Sequence, residues 1–255
     1  MNVRSLAPFL LISLSFLGLF GCNDPVSDRA PLLAQDCKVS QDQLGAFMVP
    51  LPLDANVKVV VDEKFIKDDK SGKDEPSAIA YAVSVWNAFS NRSLGRSIFT
   101  LVPKGTGGTI PERADDCSFE GGTDDTFYVV KEERAEHWKA LGLGSNNPGV
   151  TVRCRRDSKL LKQVVMINTN LARPEQLASI VLHELGHALG LNHSCLGEAA
   201  RSDYATCNGM ANEHPYHKAI MFPFLRIGAG KDSSEIKDQL KSNDMERAYC
   251  LYHQS

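Results

Sequence analysis

Residues 180–193 read Ile180-Val181-Leu182-His183-Glu184-Leu185-Gly186-His187-Ala188-Leu189-Gly190-Leu191-Asn192-His193, which meets the pattern H-E-x-x-H-x-x-G-x-x-H at every specified position. On a helix, residues four apart are separated by about 40° around the axis, so the His183 and His187 imidazoles leave the same side one turn apart. Leu177, Val181, Leu185 and Ala188 fall on the opposite side and form the stripe that buries the back of the helix in a core. Gly190 stands where the helix has to stop, because a residue without Cβ can adopt the left-handed conformation that turns the chain back. That reversal brings His193 round as a third ligand.

Three neutral imidazoles leave tetrahedral Zn²⁺ with one open position, the pattern of a catalytic rather than a closed structural ion. A zinc-bound water has its pKa lowered from about 15.7 towards about 7, and Glu184, next to the first ligand, can take its proton and pass it to a leaving amine. The implied reaction is hydrolysis of a peptide bond by a zinc-dependent endopeptidase. The alternatives are a surface lipoprotein that holds peptides without cutting them and an amidase acting on a cell-wall peptide. The intact Glu184 argues for hydrolysis.

The rest of the chain supplies a setting. With 255 residues and 43% hydrophobic content there is material for one sizeable domain behind a targeting segment. A net charge of −3 lacks the basic surplus that phosphate backbones demand, so nucleic acid is excluded as a partner. Arg4 precedes an apolar run from Leu6 to Phe20, closed by Gly21-Cys22. This is the order of a secretory signal over residues 1–21, too short for a membrane span. Leu19-Phe20-Gly21-Cys22 also resembles a bacterial lipobox, in which Cys22 is acylated and anchors the chain to a membrane.

The chain has seven cysteines, and assigning Cys22 to lipid leaves Cys37, Cys117, Cys154, Cys195, Cys207 and Cys250. An exported chain with six cysteines suggests up to three disulfides among 15 possible connectivities. Cys195 with Cys207 is the local pair; Cys37 with Cys250 and Cys117 with Cys154 would then follow.

Residues 22–45 read as a lipidated Cys and a linker, since the stretch to about Leu44 is rich in Pro, Asp, Ser and Gln without apolar periodicity. Val57 to Val61 is a β-branched run that predicts a strand, and Pro76 begins a helix whose Ile79, Val83, Trp86 and Phe89 recur at helical spacing. That stripe is core, and Trp86 is assigned to packing. Ser97 to Val102 and Thr126 to Val130 predict two more strands. The loops between them, around Gly105 to Gly108 and Gly121 to Asp125, are most simply turns, with Asp124 or Asp125 the place where a Ca²⁺ ion could be held. Glu132 to Leu141 predicts a short helix. Val150 to Arg155 and Val164 to Asn168 predict a hairpin leading into the metal helix, in whose first turn Pro174 lies. Should one of its strands be a sheet edge beside the metal, an extended peptide could pair with it through main-chain hydrogen bonds.

The motif from His183 to His193 resembles that of the metzincin metalloproteases, and Ala219-Ile220-Met221-Phe222-Pro223 resembles the Met-containing turn that lies beneath the zinc in that family. The aromatic-Pro continuation is similar to the matrixin branch; astacins and serralysins usually carry a Tyr two residues past the Met, where this chain has Pro223. The helix suggested by residues 242–252 and the Trp86-Asn87 helix also resemble matrixin elements.

The resemblance implies an α+β, metzincin-like zincin over residues 46–255: a twisted mixed sheet with an active-site helix, a Met-turn and a C-terminal helix. It implies His183, His187 and His193 as zinc ligands, Glu184 as general base and acid, and Met221 as the floor of the site. Phe222, Pro223 and Phe224, with Leu225, would line the pocket for the residue after the cleaved bond. The interval from His193 to Met221 is longer than matrixins usually have and holds Cys195, Cys207, His214 and His217. It is expected to form a disulfide-stapled flap near the cleft, whose two histidines could touch substrate or a second metal. The expected whole is a monomer in the bacterial cell envelope, exported and lipid-anchored, acting on a peptide or protein substrate.

Overall fold

Val57–Val61 forms the first strand, β1, as its β-branched composition predicts. It runs parallel both to β2 (Phe99–Leu101) and to β3 (Thr126–Lys131). The predicted hairpin is longer than its apolar core suggested, with β4 (Gly149–Arg156) antiparallel to β5 (Lys159–Ile167). β5 in turn pairs in parallel with β3, giving one five-stranded sheet in the order β2-β1-β3-β5-β4. The strands described by the computed structural model therefore leave β4, the one antiparallel member, at an edge.

The structure describes residues 39–48, 51, 55–67, 75–102, 110, 126–144, 147–156, 159–172, 174–197, 201–224 and 236–253. The signal segment 1–21, Cys22, Cys37, the loops holding Gly105 to Gly108 and Gly121 to Asp125, Cys117 and Leu225 lie outside the described residues.

Alternation sorts the strands' side chains onto two faces. Val57, Val59, Phe127, Val129, Val165 and Ile167 meet the helices of one core. Val60, Tyr128, Val130, Val164 and Met166 meet Trp138 on the other face. Central strands buried on both faces read as continuous apolar runs, which is why β1, β3 and β5 were legible as strands. Trp138 belongs to α3 (Ala135–Ala140); a short helix, α1 (Lys64–Lys67), follows β1.

The larger core lies under α2 (Glu75–Leu94) and α4 (Pro174–Leu189). Leu177, Val181, Leu185 and Ala188 are all buried there, and Trp86 of α2 donates its indole N–H to the Leu182 carbonyl at 2.9 Å. Helix α4 is thus fixed along its back and in rotation, with its histidine side turned away from the core. It ends where expected: Gly190 has φ 102°, and the Leu191 N–H bonds the Gly186 carbonyl at 3.0 Å. No helix among the described residues is long and apolar enough to cross a membrane.

The closing helix, α6 (Ser242–Tyr252), matches its predicted span, and a single turn, α5 (Pro215–Lys218), precedes the Met-containing segment. The expected linker behaves differently from Val39 onward. Gln41–Gln43 is a 3₁₀ turn, Gln43 is buried, and Phe47 bridges to Leu191. The polar composition that suggested a tether works inward here: the Gln43 amide donates to the Ser194 carbonyl at 2.9 Å and accepts from Asn243 at 3.0 Å.

Gly186, inside α4, has a packing reason. A Cβ at this position would overlap Met221 Sδ and lie 3.3 Å from Trp86 Cζ2. Gly186→Ala gains about 1 kcal/mol of helix propensity but costs about 1–3 kcal/mol of overpacking against a fully buried Met221. The expected result is a net loss of stability in urea unfolding, against the usual sign of Gly→Ala in a helix.

Candidate metal centre

The three histidines converge. Ring centroids are 4.8 Å apart for His183 and His187, 5.3 Å for His183 and His193, and 4.9 Å for His187 and His193. One ligand atom from each lies within 4.8 Å of the others. The Nδ1 of His183 sits 2.8 Å from the Ile220 carbonyl oxygen, and that of His187 2.8 Å from the Leu191 carbonyl oxygen. A carbonyl only accepts, so Nδ1 carries the proton in both rings and Nε2 presents its lone pair to the centre. The Nε2 atoms of His187 and His193 are buried without a hydrogen-bond partner. Orphaned buried nitrogens are costly unless something takes their lone pairs, and a borderline-soft divalent ion is the matching acceptor. These residues therefore fit a metal ion.

Electrostatics keeps the site in its ligand form. Burial lowers the His183 pKa to about 4, against the Ile220 hydrogen bond that raises it, and the Lys237 and Arg247 charges lower it further. Burial, then the neighbouring rings, pushes His187 and His193 well below the ordinary 6.5. Below pH 6.5 the unfolded chain therefore binds protons that the fold refuses, so this contribution to stability is complete above pH 6.5 and lost as pH falls. In metal-free protein the urea midpoint should drop as pH goes from 6.5 to 4.5. This window lies above the acid range of Glu132, whose burial is outweighed by hydrogen bonds from Arg134 and the charge of His137, holding it at about 2. A midpoint independent of pH across the window would contradict the burial of neutral rings.

Glu184, next in sequence to His183, is buried, and its Oε2 accepts the Thr151 hydroxyl at 2.5 Å. Thr151 stands on β4, two residues beyond Gly149, where a Cβ would come within 3.1 Å of Glu184 Oε1 and 2.6 Å of Ile180 Cγ2. The edge strand therefore approaches α4 closely because it carries a glycine there, and it supplies a hydroxyl to orient the carboxylate.

Met221 is fully buried against Gly186. Its segment is held from α6: the Asp244 carboxylate accepts the N–H groups of Ile220 at 2.9 Å and Met221 at 3.1 Å, and of Lys241 at 3.0 Å. Since the Ile220 carbonyl orients His183, Asp244 fixes the hydrogen-bond partner of a clustered histidine. Lys237 adds a second brace, with Nζ 2.7 Å from the His217 carbonyl and 3.1 Å from the Ala219 carbonyl. Neither residue gave a signal in sequence beyond Asp244 lying in a helical first turn.

Cys195 and Cys207 are disulfide-bonded, as the local pairing anticipated. Phe222 is buried against that disulfide, with Ala205, Met210 and Phe224 packed around it. Lys237 Nζ lies 4.7 Å from the Phe222 ring and the His217 ring 4.2 Å from it. Pro223 and Phe224 are half-buried. His214 caps α5 by accepting the Tyr216 N–H, so both loop histidines have local structural contacts, and neither belongs to the histidine cluster. Cys154 and Cys250 are also in disulfides, and the pairs expected for them involve Cys117 and Cys37, outside the described residues.

No protein-family model matches the chain, and no curated protein matches it. Two solved structures of myroilysin overlap it at TM-scores of 0.41 and 0.37, with 11% and 12% sequence identity. Each overlap covers 81% of this chain, and 83% and 86% of the respective myroilysin chains. These are loose similarities of fold, and the chemistry of the site rests on its own residues.

Proposed function

We propose that the protein is a zinc-dependent endopeptidase of the metzincin type, exported and held at a bacterial membrane by a lipid on Cys22. The observation that carries the enzymatic reading is the convergence of His183, His187 and His193, two of them with buried unpartnered Nε2 atoms, on a turn of chain that also carries Glu184, whose carboxylate Thr151 holds. Zinc, when bound, supplies a Lewis acid that polarises the scissile carbonyl and acidifies the attacking water. Glu184 takes the proton of that water and returns it to the departing amine. Thr151 of β4 holds that carboxylate through its hydroxyl and so limits the rotamers it can adopt.

An extended substrate pairs along the outer edge of β4, the end of the sheet among the described strands, where main-chain groups bind a peptide largely irrespective of its side chains. Phe222 backs the wall that Pro223 and Phe224 present to the residue after the cleaved bond, which favours an apolar side chain there. Mass spectrometry of the products from a denatured-protein digest, with and without a chelator, tests both parts. Cleavage should stop on chelation, return with zinc, and occur before apolar residues. An acidic preference would overturn the pocket, and the lack of chelator-sensitive cleavage would overturn the endopeptidase.

A further inference from the structure

We propose that Arg247 of the closing helix is a positioning residue for the third metal ligand, a role that rests on reading the histidine cluster as a metal site. Its side chain is wholly buried. Its Nη1 lies 2.9 Å from the Asn192 carbonyl, 3.3 Å from the His193 carbonyl and 3.2 Å from the Ala46 carbonyl. Two hydrogens are thus shared among three acceptors, while Nε donates to Asn243 Oδ1 at 3.2 Å and the Asp244 carboxylate lies 4.0 Å from Nη2.

The placement matters because of where the helix stops. His183 and His187 inherit their positions from α4 and have their rings fixed by Nδ1–H bonds to carbonyls. His193 lies beyond Gly190, on chain with no helical ladder to set its path. There the main chain itself is held. The Asn192 N–H bonds the Ala46 carbonyl at 3.1 Å, the Ser194 N–H bonds the Met221 carbonyl at 2.7 Å, and the Tyr204 hydroxyl donates to the His193 carbonyl at 2.9 Å. The guanidinium gathers the two consecutive carbonyls of Asn192 and His193 inward, which turns the His193 side chain outward to the centre. It also ties that turn to Ala46, so segment 42–48 and the third ligand share one anchor. Nη1 alone meets the three carbonyls while Nε holds Asn243, so a lysine, with a single terminal nitrogen, could bond the carbonyls but not Asn243 as well.

The test is zinc affinity by chelator competition, with the visible spectrum of the Co²⁺-substituted protein as a report of ligand geometry. Arg247→Met should weaken zinc by about 10–100-fold and shift the Co²⁺ bands, the range found when partners that orient metal ligands are removed. Arg247→Lys should recover part of the loss, and Tyr204→Phe should weaken zinc by less than Arg247→Met. Leu251→Ala, a buried cavity on the same helix with no bond to the ligand turn, should lower stability while leaving affinity and spectrum as in the unsubstituted protein. Wild-type affinity in Arg247→Met, or an equal loss in Leu251→Ala, overturns the proposal. Should Arg247→Met fail to fold, affinity and spectrum unchanged from the unsubstituted protein in Arg247→Lys overturn it instead. Absence of zinc binding by the unsubstituted protein falls on the metal reading itself, which distinguishes the two failures.

Discussion

Glu184→Ala should lower peptide cleavage by about 10²–10⁴-fold, the usual worth of a positioned general acid–base group, while zinc content stays stoichiometric. The separation of the two effects follows from the geometry. The rings of His183 and His187 are oriented by the carbonyls of Ile220 and Leu191, so removing the carboxylate between them on α4 disturbs neither. The cost falls on proton transfer alone. Thr151→Val keeps the shape of the orienting side chain but removes its 2.5 Å bond to Glu184 Oε2, and its activity should lie between those of Glu184→Ala and the unsubstituted protein. Cleavage rate, zinc content and circular dichroism on the same preparations decide the matter. Zinc lost together with activity in Glu184→Ala would mean that the carboxylate holds the site together rather than serving the reaction.

The largest effect on stability is expected at Asp244, which is fully buried and accepts three main-chain N–H groups. Asp244→Ala orphans the buried N–H groups of Ile220 and Met221 at about 1–3 kcal/mol each and deprives the buried Arg247 of its nearby carboxylate. A loss on the order of 3–5 kcal/mol is a large part of the 5–15 kcal/mol that typically holds a domain folded. Asp244→Asn should lose less, because its carbonyl oxygen still accepts one of the bonds while its amide faces the other donors. Denaturant unfolding measures both, and a change below about 1 kcal/mol in Asp244→Ala would show that the Met221 turn is held by packing alone.

Local periodicity carried most of the fold. The buried back of α4, the glycine that ends it, the β-branched runs of β1, β3 and β5, and the span of α6 are each properties of contiguous residues whose pattern matches one element's geometry. The histidine cluster was legible for the same reason, since its three members lie within one helix and the turn after it.

What holds those side chains was not legible. Thr151 reaches Glu184 across 33 residues, Asp244 reaches Met221 across 23, and Arg247 reaches His193 across 54. Spacing says which face of a helix a residue occupies but not which segment arrives opposite it. The polar stretch from Val39 to Leu44 misled for a related reason: Gln43 is a buried strut, and its composition is the same as that of a solvated tether.

We propose that three histidine nitrogens hold one zinc ion and leave a position open to solvent. X-ray absorption at the zinc edge on the purified, full-length protein tests it most directly. The expected spectrum shows one zinc per chain with nitrogen or oxygen neighbours at about 2.0–2.1 Å, imidazole multiple scattering, and no sulfur at about 2.3 Å. Sub-stoichiometric zinc, or sulfur in the coordination sphere, would contradict it.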